Sequence, residues 1–358
     1  MKGKVRKIFP GANTSNGFYS YFDYIIPENV KRIFCLKGGP GVGKSSFMKK
    51  IATDFIDKGY DVDLFPCSSD PGSLDAIVIK KLGVVMIDGT APHIVDPKLP
   101  GAIDEILNFG DFWDVNQLEK NRQQIELANK EIKNCFQRTF QYLKAAEPIF
   151  YEIESINSDC MDFGKLNKFT EEFIEDLFRN IENNEKLSKP RHLFGTAITP
   201  IGHIDYGDSL LGNVKKVYYL DGKIGYGKTT FLKRVYDRAI QKGLKVEVYH
   251  YPLIPSKIEG IMIEDLDIAI TTSYIYKDFE PINLEQFINK EKLSNYKKEL
   301  EVDQEILDEL INYAISNLKK AKSNHDVIEA FYIPSMKFDK ISTLKEEIIE
   351  RIMRYEDK

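Results

Sequence analysis

Short apolar runs alternate with helix-patterned stretches along the whole chain, and this alternation predicts an α/β protein. Lys7-Ile8-Phe9 reads as a short strand entering loop chemistry at residues 10–17. The aromatic-rich stretch 18–26 (Phe18, Tyr19, Tyr21, Phe22, Tyr24) reads as core or packed surface. Ile33-Phe34-Cys35-Leu36 is a strand, and Phe47, Met48 and Ile51 lie on one face of a helix that ends near Gly59. Val62 and Leu64 alternate with Asp61 and Asp63, which predicts a second strand. Ser73 is positioned to cap a helix holding Leu74, Ile77 and Val78. The continuous run Leu82-Gly83-Val84-Val85-Met86-Ile87-Asp88 predicts a parallel strand buried on both faces. Beyond Pro97 the pattern turns helical and charged. Ile125, Ala128, Ile132, Cys135, Thr139 and Tyr142 recur at 3–4 spacing, which predicts a helix–helix seam, and a further helix covers about 168–181.

Between the first long strand and its helix stands Gly38-Gly39-Pro40-Gly41-Val42-Gly43-Lys44-Ser45, followed by Ser46. It fits G-x-x-x-x-G-K-[ST], the phosphate-binding loop, in the strand–loop–helix context that the motif needs. Glycines let successive N–H groups curl around a phosphate chain, and the helix N-terminus behind them adds its dipole. Lys44 is expected on the β/γ phosphates and the Ser45 hydroxyl on Mg²⁺. Asp88, at the carboxyl end of the apolar run, is the second expected Mg²⁺ ligand. Asp70 is a candidate for positioning a water or an acceptor, and His93 and Asp96 follow closely enough to line the same site. Arg122, Arg138 and Arg179 read as solvated helix positions.

The chain is a duplication. At a shift of 184 a second loop appears, Gly222-Lys223-Ile224-Gly225-Tyr226-Gly227-Lys228-Thr229, followed by Thr230. Asn29, Leu36, Phe47, Lys58-Gly59, Val62, Leu82 and Pro97 match Asn213, Leu220, Phe231, Lys242-Gly243, Val246, Leu266 and Pro281. Upstream the shift is 185 (Phe9 with Phe194), and downstream it is 175, where Ile153-Glu154 matches Ile328-Glu329 and Met161 matches Met336. Such a long period indicates two homologous domains and not a solenoid. Their bounds are 1–185, with a core to about 100 and a helical insertion over about 101–182, and 186–358, with a core over about 190–283 and helices beyond it. The fold class expected is two tandem P-loop NTPase domains, each a mainly parallel sheet flanked by helices that insert as lids on each core. Lys228 and Thr229 keep the cradle, and Thr229 is the expected metal ligand there. Asp88, Asp70 and His93, however, align with Thr272, Ile254 and Lys277, and Glu264, Asp265 and Asp267 lie at the far end of the strand. One chemically competent site in the first half and a degenerate, regulatory nucleotide site in the second is therefore expected.

Bulk properties exclude several classes. A formal charge of −5 and pI near 5.7 give no reason to expect nucleic acid as partner. No signal-peptide core and no long apolar run occur, so neither secretion nor a membrane span is expected. Cys35, Cys67, Cys135 and Cys160 are scattered, which reads as free thiols in a reducing cytoplasm.

No Glu follows Asp88, no guanine-reading N-K-x-D occurs, and no L-S-G-G-Q is found, which leaves the kinase-like branch of phosphate-loop proteins. The arrangement resembles a bacterial family of tandem phosphate-loop ATP-binding proteins. The resemblance rests on Gly38 to Ser45, Cys67-Ser68-Ser69-Asp70-Pro71 and Asp88-Gly89-Thr90-Ala91-Pro92-His93, and on Gly222 to Thr229 with Ala269-Ile270-Thr271-Thr272-Ser273, and it covers nearly the whole chain. It implies ATP binding with Mg²⁺ and an ATPase-like or nucleotide-kinase-like activity. Three functions follow as expectations: Mg·ATP hydrolysis at the first site, phosphate transfer with Asp70 or Asp96 orienting an acceptor, or nucleotide-gated gripping of a protein partner by the helical arms.

Overall fold

The computed structural model describes residues 1–90, 94–185 and 187–356. The first half runs β1 (Val5–Lys7), a hairpin of β2 (Gly11–Thr14) and β3 (Gly17–Ser20), β4 (Arg32–Lys37), α1 (Lys44–Asp57), β5 (Val62–Cys67), β6 (Asp70–Ile79), β7 (Val84–Asp88) and β8 (Asp104–Asn108). Three helices follow: α2 (Val115–Lys120), α3 (Arg122–Asp159) and α4 (Phe163–Phe178). The second half repeats this as β9 (Arg191–Leu193), the hairpin β10 (Thr196–Thr199) and β11 (Gly202–Asp205), a short α5 (Gly207–Leu211), β12 (Lys216–Asp221), α6 (Lys228–Gln241), β13 (Val246–His250), β14 (Ile258–Ile263), β15 (Ile268–Thr271) and β16 (Glu280–Asn283). It ends in α7 (Lys290–Ser294), α8 (Lys297–Tyr332) and α9 (Phe338–Met353).

The two sheets have the same order, β1-β5-β6-β7-β4-β8 and β9-β13-β14-β15-β12-β16. Each is mixed, because β6 and β14 run antiparallel to both neighbours while the other pairings are parallel. The helix expected after Ser73 is therefore a strand. Leu74, Ile77 and Ile79 enter the core under α1, while Ala76 and Val78 enter a second core on the opposite face. Burial on both faces erases the two-residue alternation, and the residual apolar spacing mimics a helix. The β-branched run Ile77-Val78-Ile79 favours the extended chain. Strand register preserves the 184 shift, since Arg32 pairs with Val84 as Lys216 pairs with Ile268. The match of Pro97 with Pro281 does not hold in space. Pro281 lies in β16 opposite Tyr219, the place that Ile106 takes opposite Cys35.

Each sheet buries one face against the other sheet. Ile8, Ile33, Cys35, Val85 and Ile87 meet Leu193, Val217, Tyr219 and Ala269 there. The halves join about an approximate two-fold, where Phe9 and Phe194 exchange backbone N–H···O bonds of 3.0 Å in both directions. Beside it, Arg6 and Arg191 share the buried carboxylates of Glu247 and Asp63, with Glu247 at 2.7 and 2.8 Å from the two guanidinium groups. Burial alone would raise the Glu247 carboxyl, but Arg6 and Arg191 hold it far below the usual carboxylate range.

The outer faces are covered by exchange. Ile341, Ile348 and Ile352 of α9 join the first half's core with Phe34, Leu36, Phe47 and Met86. Leu166, Ile174 and Phe178 of α4 join the second half's core with Leu220, Phe231 and Ile270. The long helices α3 and α8 form the expected seam, with Cys135 and Thr139 buried and Leu143 and Phe150 packed with Leu307, Ala314 and Leu318. They carry each half's terminal helix across to the other. The chain crossing is held symmetrically, as Asp114 N bonds Ser335 O at 2.8 Å and Asn289 N bonds Cys160 O at 2.7 Å. The helical segments are thus lids on the opposite core and not on their own.

Candidate functional site

Both glycine loops sit between a central strand and the helix that follows it, at the carboxyl ends of the parallel strands. Gly38, Gly41 and Gly43 have φ of 154°, 70° and 94°, and Gly222, Gly225 and Gly227 have 159°, 85° and 86°. Two segments of different sequence thus share one left-handed pattern, which glycine adopts without Cβ strain. Val42 and Tyr226 are both buried and packed into their half's core, so the larger Tyr226 fills core space and does not crowd the loop mouth. Pro40 and Gly39 complete the first loop, and Lys223 and Ile224 the second; Ser46 and Thr230 lie in the first turn of the helices and are both exposed.

Lys44 and Lys228 fold back onto their own loops. Lys44 Nζ donates to Gly38 O at 2.7 Å and Gly39 O at 2.9 Å, and Lys228 donates to Gly222 O. Burial lowers both ammonium pKa values, opposed by Asp88 and Glu329 at Lys44 and by Asp221 and Glu259 at Lys228. Each is a desolvated cation to which an incoming anion would be a better partner than a carbonyl. Ser45 Oγ accepts from Leu74 N at 3.0 Å, and Thr229 Oγ1 lies 3.4 Å from Ile258 O, the equivalent position.

Carboxylates converge on the first loop. Asp88, at the end of β7, stands 3.5 Å from Lys44 Nζ and accepts from Thr90 N at 3.0 Å. Asp70, at the start of β6, accepts from Ser73 Oγ at 2.7 Å and lies 3.7 Å from Lys322 of α8. Asp75, inside β6, is buried, and its pKa is pushed up to about 8, by burial first and then by Asp88 and Asp70. Asp88 and Ser45 are oxygen donors of the kind a hard divalent cation such as Mg²⁺ takes. Asp96 is exposed and paired at 2.8 Å with Lys37, which precedes Gly38 and whose Nζ also donates to Gly89 O beside Asp88. His93 lies outside the described residues. Arg122 and Arg179 are exposed and pair with Glu126 and Asp176, and Arg138 is exposed, so no arginine among these three reaches a loop.

The second loop keeps one acid that its alignment with Asp70 and Asp88 did not reveal. Glu259 of β14 matches Asp75 at the same shift; it is half-buried, accepts from Thr196 Oγ1 at 2.7 Å, and is pushed up to about 8 by loss of solvation. An acid inside an apolar strand in both copies was the available signal for this pair. Thr272 stands where Asp88 does, on the wall of a cavity of about 300 Å³ that also touches Lys228, Thr229, Lys257 and Glu259. A wider cavity of about 960 Å³ adjoins it at Lys223, Ile224 and Lys228.

Each loop is roofed by the other half's long helix. Asn157 Nδ2 of α3 donates to Ile224 O at 2.8 Å and Ser158 Oγ to Gly225 O at 3.1 Å. A Cβ on Gly225 would lie 2.6 Å from Glu154 O, and one on Gly41 would lie 3.0 Å from Glu329 Cα. Glu154 and Glu329 are the same repeat position, so each half lends one acid to the other's loop. Their match was legible in the sequence, but their destination was not, because the repeat does not say which core a helix crosses to.

No protein-family model, curated protein or solved structure matches the chain. What the structure establishes is an α/β class with two mixed six-stranded sheets, each flanked by helices. Among the described residues no helix is long and apolar enough to cross a membrane.

Proposed function

We propose that this chain binds nucleoside triphosphate, ATP in preference to GTP, on its two loops, and hydrolyses Mg·ATP at the first. The observation that carries this reading is the shared loop geometry: two unlike sequences with the same left-handed glycines and a lysine turned onto its own loop. Backbone N–H groups would hold the phosphate chain, and Lys44 would neutralise charge that spreads on the transferred phosphoryl. Ser45 and Asp88 would hold Mg²⁺, which supplies further charge neutralisation when bound. Asp70 stands close enough to Asp75 to raise its pKa and is the remaining candidate for ordering an attacking water. The second site, without an equivalent of Asp88, would bind nucleotide and regulate. Phosphate transfer to a small acceptor oriented by Asp70 or Asp96 is the second reading.

Phosphate release from Mg·ATP, with and without a panel of hydroxyl acceptors, tests both readings. Lys44→Ala and Asp88→Ala are expected to lower turnover by roughly a hundredfold or more, and Lys228→Ala by less. Wild-type turnover in Asp88→Ala removes the metal assignment, and equal or greater loss in Lys228→Ala removes the ranking of the two sites. Phosphate appearing only with an acceptor selects the transferase.

A further inference from the structure

The two loops differ in a way that concerns the metal and not only the acids. By the 184 shift, Gly39 corresponds to Lys223, Ser73 to Lys257, Asp70 to Ile254 and Asp88 to Thr272. Lys37 to Asp221 runs the other way, and Asp75 to Glu259 leaves the charge unchanged. The second site therefore carries a more positive set of side chains than the first. Three lysines, Lys223, Lys228 and Lys257, border the 300 Å³ cavity together with Gly225, Gly227 and Thr229 of the loop. Lys257 is largely buried and is fixed from the opposite half, with Glu154 Oε1 and Oε2 at 2.6 and 2.8 Å from its Nζ. It also lies over the rings of Phe150 and Tyr151 at 5.4 and 5.2 Å. An ammonium has three N–H donors, so one is left beyond the two that Glu154 takes. Where the first site has Ser73 tied to Asp70, the second thus has a pre-positioned cation on the cavity wall.

We propose that the second loop holds the polyphosphate of a nucleotide without a divalent metal, with Lys257 and Lys223 supplying the charge that Mg²⁺ supplies at the first loop. This rests on the nucleotide-binding reading above and goes beyond it in dividing the two sites by their metal requirement. Thr229 is then a direct donor to phosphate. The site would be occupied by nucleotide whatever the free Mg²⁺, while the first site would load only with it.

Titration calorimetry of the full chain with ATP, in excess EDTA and in excess Mg²⁺, tests this. In EDTA, binding is expected at the second site alone, so it survives Lys44→Ala and disappears in Lys228→Ala. Lys257→Met is expected to weaken it roughly tenfold or more, the range for losing one charged hydrogen bond. Mg²⁺ is not expected to rescue this loss, and Lys257→Arg is expected to stay close to wild type. Two results overturn the proposal while leaving nucleotide binding intact: Lys44→Ala protein that binds ATP in Mg²⁺ but not in EDTA, or Lys257→Met that binds in EDTA as wild type does. The first needs no substitution at Lys257 to be read. Absence of ATP binding by the wild-type chain in both conditions defeats the nucleotide reading itself, and this inference with it.

Discussion

At the scale of single residues, the most informative side chains are two acids inside apolar strands. Asp75 and Glu259 are each pushed up to about 8, and in both burial is the leading cause. A carboxyl whose folded pKa lies above its unfolded value stabilises the fold fully only below the unfolded pKa, and that contribution is lost as pH rises through about 8. Asp75→Asn keeps the shape of the neutral acid and cannot ionise. Its stability relative to wild type is expected to rise by on the order of 4 kcal/mol between pH 5 and pH 9, as read from urea unfolding at the two pH values. An unchanged difference between pH 5 and 9 would mean that Asp75 ionises freely in the folded chain. Residues of the loops were legible from sequence because glycine spacing encodes backbone geometry directly. Asp75 and Glu259 were not, because an acid beside Leu74 or Gly260 carries no mark of burial until the strand is known to be covered on both faces.

At the scale of elements, strands covered on two faces were legible where the apolar run is continuous, and not where an acid and a turn signal break it. The central strands β4 and β7 and helix α1 announced themselves through long apolar runs and a 3.6-residue stripe. The β6 strand did not, for the reason given by Leu74, Ile77 and Val78. The seam of α3 was legible at Cys135 and Thr139, but its partner is α8, in the other half. Helix α9 illustrates the consequence. Ile348 is fully buried in the core built on β4 and α1, more than 290 residues earlier in the chain. Ile348→Ala is expected to cost about 2–5 kcal/mol, the range for a large-to-small change in a packed core. The local signature is more decisive: amide exchange should rise in α1 and β4 and stay near wild type in α6 and β12. Equal protection loss in α6 would contradict the assignment of α9 to the first half's core.

At the scale of the whole molecule, the ion cluster at the two-fold joins the halves. Glu247 takes Arg6 from the first half and Arg191 from the second, and Asp63 mirrors it. Removing one member leaves buried charge without a partner, so Glu247→Ala is expected to cost about 3–5 kcal/mol. The sign with pH follows from the lowered carboxyl. Its stabilisation is complete above the unfolded glutamate pKa of about 4.3 and is lost as pH falls toward the depressed folded value. Thermal midpoints of wild type should therefore fall steeply below pH 4, and those of Glu247→Ala should fall less. Parallel acid profiles would show that Glu247 titrates normally. Duplication itself was plain in the sequence. Neither the facing of the two sheets nor the crossing of the helices was, since both depend on contacts between copies that are equivalent in sequence.

The crossing also sets an order on synthesis. The first loop and its sheet emerge early, but the helix that covers their core ends at Met353. The second core, by contrast, finds α4 already made when its own strands appear. At about 5–20 residues per second, the first core waits roughly ten to thirty seconds for its cover after α4 has been made. During that interval the outer face around Phe34, Phe47 and Met86 is open to water. The N-terminal half, although translated first, is thus the last to be finished, and it is the one that a nascent-chain chaperone would have most time to meet.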